Sequence, residues 1–322
     1  MNVWFAPLEG TTDAVFRRIH HQSFGGVEKY YIPFVSPTQN LLFTARELNA
    51  IAPENNEGVP AVPQLLGKDP EQILWAIGEL KEMGYQEVNL NLGCPSGTVT
   101  AKCKGSGLLR EKDMLRRLLD GVYEKAPLPV SIKTRIGFTE DTEWPALLDI
   151  LLDYPMQELI IHPRTRKDFY KGPLHPQTFA LAARKAKCPL VYNGDLFNQD
   201  DGRAIMQQYP GLKAVMIGRG LIANPAMAQE MNGGEPLSVE ALWQFHERLC
   251  EAYGRKYPAN QVHNRVREVM KYVACCFEGA EKPRKAIRKA ADLQAHHQAV
   301  DWLLRDFALK DKPGYEPQSW IV

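Results

Sequence analysis

The chain is predicted to be α/β, a (β/α)8 TIM barrel followed by a small all-α helical domain, because eight short apolar, β-rich runs alternate with segments of helical periodicity. The GxGxxG signature of an open doubly wound sheet is missing, which favours the closed barrel. After Gly233-Gly234-Glu235-Pro236 the strands stop and only helical periodicity continues. A barrel of this kind takes about 250 residues. The 322 residues therefore divide into a barrel domain, 1–235, and a helical domain, 236–322.

The runs are VWFAPL at 3–8, KYYIPFV at 29–35, VPAVPQLL at 59–66, EVNLNLG at 87–93, PVSIKTRIG at 129–137, ELIIHPR at 158–164, PLVYNGD at 189–195 and AVMIGRG at 214–220. Between the third and fourth, Asp69-Pro70 offers an N-cap and a proline at the first helical position ahead of Ile73, Leu74, Ile77 and Leu80. Further helices are expected to open near Asp113, Pro145, Pro176, Asn198 and Asn224. In the second domain helices are expected over 238–255, 262–278, 282–292 and 294–307, with loose order from about Lys310.

Composition is that of an ordinary globular protein, 44% hydrophobic and 24% charged, with no apolar run near the ~20 residues of a membrane span. The opening MNVWFAPLEG has no basic stretch leading into an apolar one, so a cytoplasmic location is expected. The six cysteines form no CxxC pair and no Cys/His cluster at zinc spacing, so no metal site is expected. Net charge is +1, unevenly spread: from Leu237 onward 14 Lys and Arg face 11 Asp and Glu. The densest basic run is Lys282, Arg284, Lys285, Arg288 and Lys289, which fits either a solvated helix face or a nucleic-acid footprint.

In such barrels chemistry sits where strands end, and here the strand ends are polar. Asn89 and Asn91 share one face of the fourth strand, which runs into Gly93-Cys94-Pro95. Their amides must be hydrogen-bonded, either to neighbouring strand tips or, for Asn91, to a ligand. A thiol of ordinary pKa is mostly protonated at neutral pH, so Cys94 can donate a proton. Ser131, Lys133 and Arg135 share a face of the fifth strand, and Ile160, His162 and Arg164 one of the sixth. Cations crowded inside a barrel need an anionic partner, which the strand ends supply sparsely. Asn193-Gly194-Asp195 and Gly218-Arg219-Gly220 let backbone N–H groups approach a ligand, and loops at these two strand ends often hold phosphate.

Taken together, these motifs resemble the tRNA-dihydrouridine synthase (Dus) family along nearly the whole chain. Ala6-Pro7-Leu8-Glu9-Gly10 with Thr12-Asp13 resembles the family's opening flavin loop, Gln64-Leu65-Leu66-Gly67 a second flavin-contacting strand, and Asn91-Leu92-Gly93-Cys94-Pro95 its catalytic signature. Lys133-Thr134-Arg135-Ile136-Gly137, His162 with Arg164-Thr165-Arg166, Asn193-Gly194-Asp195 and Met216-Ile217-Gly218-Arg219-Gly220 complete the order. The resemblance implies a monomeric enzyme that binds FMN, is reduced by NADPH and reduces the C5=C6 bond of uridine in tRNA, with ribosomal RNA also open as substrate. It implies Cys94 as general acid, and Ala6, Pro7, Leu8, Gln64, Lys133, His162, Asn193, Gly194, Asp195, Gly218 and Arg219 as flavin contacts. Asn91, Arg135, Arg164, Arg166 and Lys271 are then substrate contacts, on a cationic path that adds Lys102, Lys104, Lys167, Arg265, Arg267 and the 282–289 run. Leu8 stands where the family has methionine, and Pro163 where it has glycine. A flavin reductase of small pyrimidines, of the dihydroorotate dehydrogenase kind, is the alternative, and an RNA-binding protein without catalysis a third reading.

Overall fold

The computed structural model describes residues 1–317, so residues 318–322 of the expected second domain lie outside the described residues. All eight runs form strands, joined in parallel in one sheet: β1 (Val3–Phe5), β2 (Val27–Tyr31), β3 (Ala61–Val62), β4 (Gln64–Leu65), β5 (Val88–Leu92), β6 (Val130–Arg135), β7 (Leu159–His162), β8 (Leu190–Tyr192) and β9 (Ala214–Ile217). Eight runs give nine strands because the third is cut at Pro63, which has no N–H for the ladder. The Pro63 carbonyl still accepts from the Asn89 N–H at 2.9 Å. The order β3-β2-β1-β9-β8-β7-β6-β5-β4 thus begins and ends on two halves of one run, the topology of a closed barrel.

Helices follow the strands where caps and periodicity place them. Asp69 accepts from the Glu71 and Gln72 N–H groups and opens Pro70–Glu82, and Asn198 caps Gln199–Gln208 in a reciprocal box with Asp201. The helix expected near Asn224 is instead two short ones, Arg219–Ala223 and Met227–Met231. Asn224 sits between them, accepting from the Ala226 N–H and donating to Glu230. The larger apolar core lies between the sheet and its helices. A second one fills the barrel itself with Trp4, Tyr31, Val62, Ile160, Val191, Ala214 and Met216. Alternation along β1, β6, β7 and β9 means that the residues above these, toward the strands' C-terminal ends, also face inward.

The C-terminal region is helical: Val239–Gly254, Ala259–Val273, Glu281–Lys289 and Leu293–Asp306. Its first helix docks on Ala14–Ser23, where Phe245 meets Phe24 with ring centroids 5.3 Å apart and Phe16 at 6.1 Å. Tyr253 donates to Asp13 at 2.8 Å across the same contact. The loose order expected from Lys310 is not found up to Tyr315. Leu309 bridges to Phe277, the Tyr315 N–H donates to the Phe197 carbonyl at 3.0 Å, and the Tyr315 ring is buried. An apolar residue at each end of the segment returns it to the barrel mouth.

Candidate active site

Side-by-side register places the inward polar residues together: Gln64 beside Asn89, Asn89 beside Ser131, Asn91 beside Lys133, and Arg135 beside His162. Their amides form a directional chain. Ser131 donates to the Val88 carbonyl, Asn89 to Ser131 at 2.8 Å, Gln64 to Asn89 at 2.8 Å, and Asn91 to Gln64 at 2.7 Å. At its upper end the Asn91 carbonyl oxygen accepts from the Gly93 N–H at 3.0 Å and the Cys94 N–H at 2.8 Å. Asn91, expected to touch substrate, therefore lines the cavity while also fixing the loop that carries Cys94. Below that loop the Cys94 carbonyl takes the Ser106 hydroxyl at 2.8 Å, and Gly105 at φ +57 packs so close that a Cβ would lie 3.1 Å from that of Cys94.

These residues open onto a cavity of about 530 Å³ at the mouth of the barrel. Its wall contains Ala6, Pro7, Leu8, Gln64, Asn91, Cys94, Lys133, Arg135, His162, Asn193, Gly194, Asp195, Gly218 and Arg219. Burial raises the Cys94 pKa, against the Ser96 backbone, Arg135 and Lys133, which pull it down. The thiol thus keeps its proton at neutral pH. Desolvation, then Arg135, lowers the Lys133 pKa to about 7. Burial, reinforced by Arg135, Lys133, Arg164 and Arg219, holds His162 far below its ordinary pKa and therefore neutral. Arg164 Nη1, 3.3 Å from His162 Nε2, can only donate, so the ring proton sits on Nδ1.

Asp195 answers part of this positive charge. It sits in the left-handed region at φ +42 and takes Arg164 through both oxygens, at 2.7 and 2.5 Å, and Arg219 at 2.9 Å. A non-glycine residue there costs on the order of 1–3 kcal/mol, offset here by the charge-assisted bonds from two arginines. Arg164, expected to face substrate, is instead buried, and is spent on Asp195 and on the Gly172 carbonyl at 2.7 Å. Arg166 is stacked between Phe138 and Phe169 at 5.3 and 5.0 Å, and Lys271 pairs with Glu268 at 2.5 Å, so neither forms part of the cavity wall. Lys104 donates to Ser36 at 2.8 Å, whereas Lys282, Lys285, Arg288 and Lys289 are exposed along one helix.

Sequence reasoning missed the aromatic lid on the cationic wall. Arg219 lies over Phe197 at 5.1 Å, Tyr315 at 5.1 Å and Tyr170 at 5.7 Å, and Arg135 lies over Tyr170 at 5.2 Å. Glu268 and Tyr272 of helix Ala259–Val273 reach the same cavity. The signal for Tyr315 was an aromatic between two prolines in a polar tail; for Tyr170 it was the Phe-Tyr pair after Arg166.

Residues 4–311 match the model of the family described as Dihydrouridine synthase (Dus). The chain is 31% identical over 231 residues to tRNA-dihydrouridine synthase B of Vibrio cholerae serotype O1, covering 71% of this chain and 70% of that one. It is 30% identical over 302 residues to the tRNA-dihydrouridine(16) synthase of Ralstonia nicotianae, covering 89% and 91% respectively. Among solved structures morphinone reductase is similar in fold, with a TM-score of 0.52 over 73% of this chain and 86% of that chain at 14% identity.

Proposed function

The chain belongs to the dihydrouridine synthase family, and from that premise we propose that it reduces the C5=C6 bond of specific uridines in tRNA to dihydrouridine, using FMN that NADPH reduces. The observation that carries this reading is the place of the Cys94 thiol on the wall of the cavity that also collects Lys133, Arg135 and Arg219. In the same reading residues 1–235 hold the chemistry, residues from 236 onward grip RNA, and the enzyme works in the cytoplasm, where tRNA is.

The wall fits FMN. Its volume lies in the range of cofactor pockets. Lys133 Nζ has no hydrogen-bond partner among the described residues, so a desolvated amine is left for an anion to pair with at the level of Asn91. Gly194 and Gly218 leave backbone approachable: a Cβ on Gly218 would lie 3.1 Å from Leu8, and one on Gly194 3.0 Å from Leu174. Gly194, Gly218 and Arg219 would hold the phosphate, and Ala6, Pro7, Leu8, Gln64, Lys133, His162, Asn193 and Asp195 would frame the rest.

Bound there, reduced FMN supplies hydride to C6, the β-carbon of the conjugated C4 carbonyl. The protein's own task is the proton at C5. Cys94 Sγ–H donates it, and Asn91 and Ser106 fix the loop from which it does so. Lys133 and Arg135 then face the thiolate left behind and favour it until solvent returns the proton. Arg135, held by the Gly93 carbonyl at 3.0 Å and the Thr165 carbonyl at 2.8 Å, presents its remaining donors to the uracil edge. The uridine must leave its stack to reach this depth, at a cost of a few kcal/mol that phosphate contacts along the helical region offset.

The test is nucleoside mass spectrometry of unmodified tRNA and rRNA after incubation with the protein, FMN and NADPH. Uridine gaining two hydrogens in tRNA supports the proposal; flavin-loaded protein with no RNA product supports the small-molecule reductase instead.

A further inference from the structure

Four of the chain's eight histidines, His246, His263, His296 and His297, converge where helices Val239–Gly254, Ala259–Val273 and Leu293–Asp306 meet, away from the barrel mouth. Ring centroids of His246 lie 5.4 Å from His296 and 5.1 Å from His297, and His263 lies 5.8 Å from His296. Cys250 joins them because it stands one helical turn after His246 on the same face. No separation in sequence shows this grouping, which is why the sequence predicts no metal site.

We propose that His246, Cys250 and His297 bind a zinc-class divalent ion that clamps the first helix of the C-terminal region to the last. One ligand atom from each of the three lies within 4.8 Å of those of the other two. His246 Nε2 is 3.5 Å from Cys250 Sγ, which matches the edge of about 3.5 Å that Zn–N and Zn–S bonds of ~2.0 and ~2.3 Å span at a tetrahedral centre. Rotation of His297, whose side chain is 38% exposed, would close the remaining edges.

The surroundings are those of a metal site in two further respects. Glu247 Oε1 lies 3.2 Å from His246 Nδ1 and 3.7 Å from His297 Nδ1. A carboxylate only accepts, so it holds the His246 proton on Nδ1 and turns the Nε2 lone pair toward Cys250, the second-shell device of histidine–metal centres. The buried rings are also underused as hydrogen-bonders, since His296 Nδ1 and His263 Nε2 have no partner among the described residues. A further donor, His296 Nε2, stands 3.3 Å from His246 Nε2. Cys250 binds as a thiolate, so its proton is released to solvent as the S–metal bond forms.

The experiment uses the untagged full-length chain, stripped of metal and titrated with Co2+ and then Zn2+. One Co2+ per chain is expected, with tetrahedral visible bands and a thiolate-to-cobalt band in the near ultraviolet, both erased by Zn2+. Cys250→Ser should lose the thiolate band, and His297→Gln should weaken Co2+ binding at least about tenfold, while Cys94→Ser keeps both signals. His297→Gln is decisive if Cys250→Ser fails to fold. Absence of the bands in the wild type, or bands unaltered in either variant, overturns the proposal.

Discussion

Lys133 carries a pH dependence of known sign. Its folded pKa of about 7 lies below the 10.5 of a free lysine, so between those values the unfolded chain binds the extra proton. Stability of the ligand-free protein should therefore rise with pH through this window. An anion at Nζ reverses the shift, so FMN binding above pH 7 should take up a proton and weaken as pH climbs. Flavin-fluorescence titrations across neutral and alkaline pH check this, and Lys133→Met should flatten the slope and cost about tenfold or more in affinity, the worth of a charged hydrogen bond. A slope that persists in Lys133→Met would count against the role. At this scale residue types are readable in the sequence but their partners are not. Lys133, Arg135 and His162 form one group by alternation alone, yet Arg164, two residues on from His162, serves Asp195. Only the positive-φ turn at Asp195 brings that carboxylate to it, and a sequence does not announce such a turn at aspartate.

Strand ends are the elements on which the site depends. Asn91→Ala would leave the Gln64 carbonyl and the Cys94 N–H without partners, each costing about 1–3 kcal/mol if buried and unmet. We expect a lower urea midpoint and slower uridine reduction with FMN affinity nearly intact, because the Cys94 loop loses its anchor while the cationic wall stays. Gly220→Ala tests the other rim. A Cβ there would lie 2.3 Å from the Leu196 carbonyl, so a loss of about 1–3 kcal/mol is expected in denaturant melts. Gly211→Ala, with no heavy atom within 4 Å, should change little. All eight runs were legible as strands because β-rich apolar stretches bounded by turn residues are a local signal. The break at Pro63 was not, since a proline inside a run reads the same whether the ladder tolerates it or splits. The split of the expected helix at Asn224 was not legible either, since its amide also donates to the Pro313 carbonyl at 3.3 Å, a partner far along the chain.

The whole molecule joins a catalytic mouth to a basic helical flank. Lys282, Lys285 and Lys289 are exposed on one helix, so replacing all three with glutamate should weaken tRNA binding and lower its salt dependence. The slope of log affinity against log salt should fall by roughly 0.7–0.9 for each phosphate no longer neutralised by a lysine. Filter binding over a range of salt concentrations measures both; an unchanged slope would assign this face to solvent. That flank was visible as a charge imbalance, whereas the return of the tail to the mouth was not, because Tyr315 reaches Arg219 only through the fold. Cys94 as the proton donor at a flavin-bearing barrel mouth is the claim on which the rest depends. It is tested most directly by mixing the enzyme, its FMN reduced, with unmodified tRNA in the absence of oxygen and following flavin reoxidation in a single turnover. Cys94→Ala should slow that step by about 10²–10⁴-fold while binding FMN and tRNA like the wild type. Reoxidation by Cys94→Ala at the wild-type rate would contradict that role.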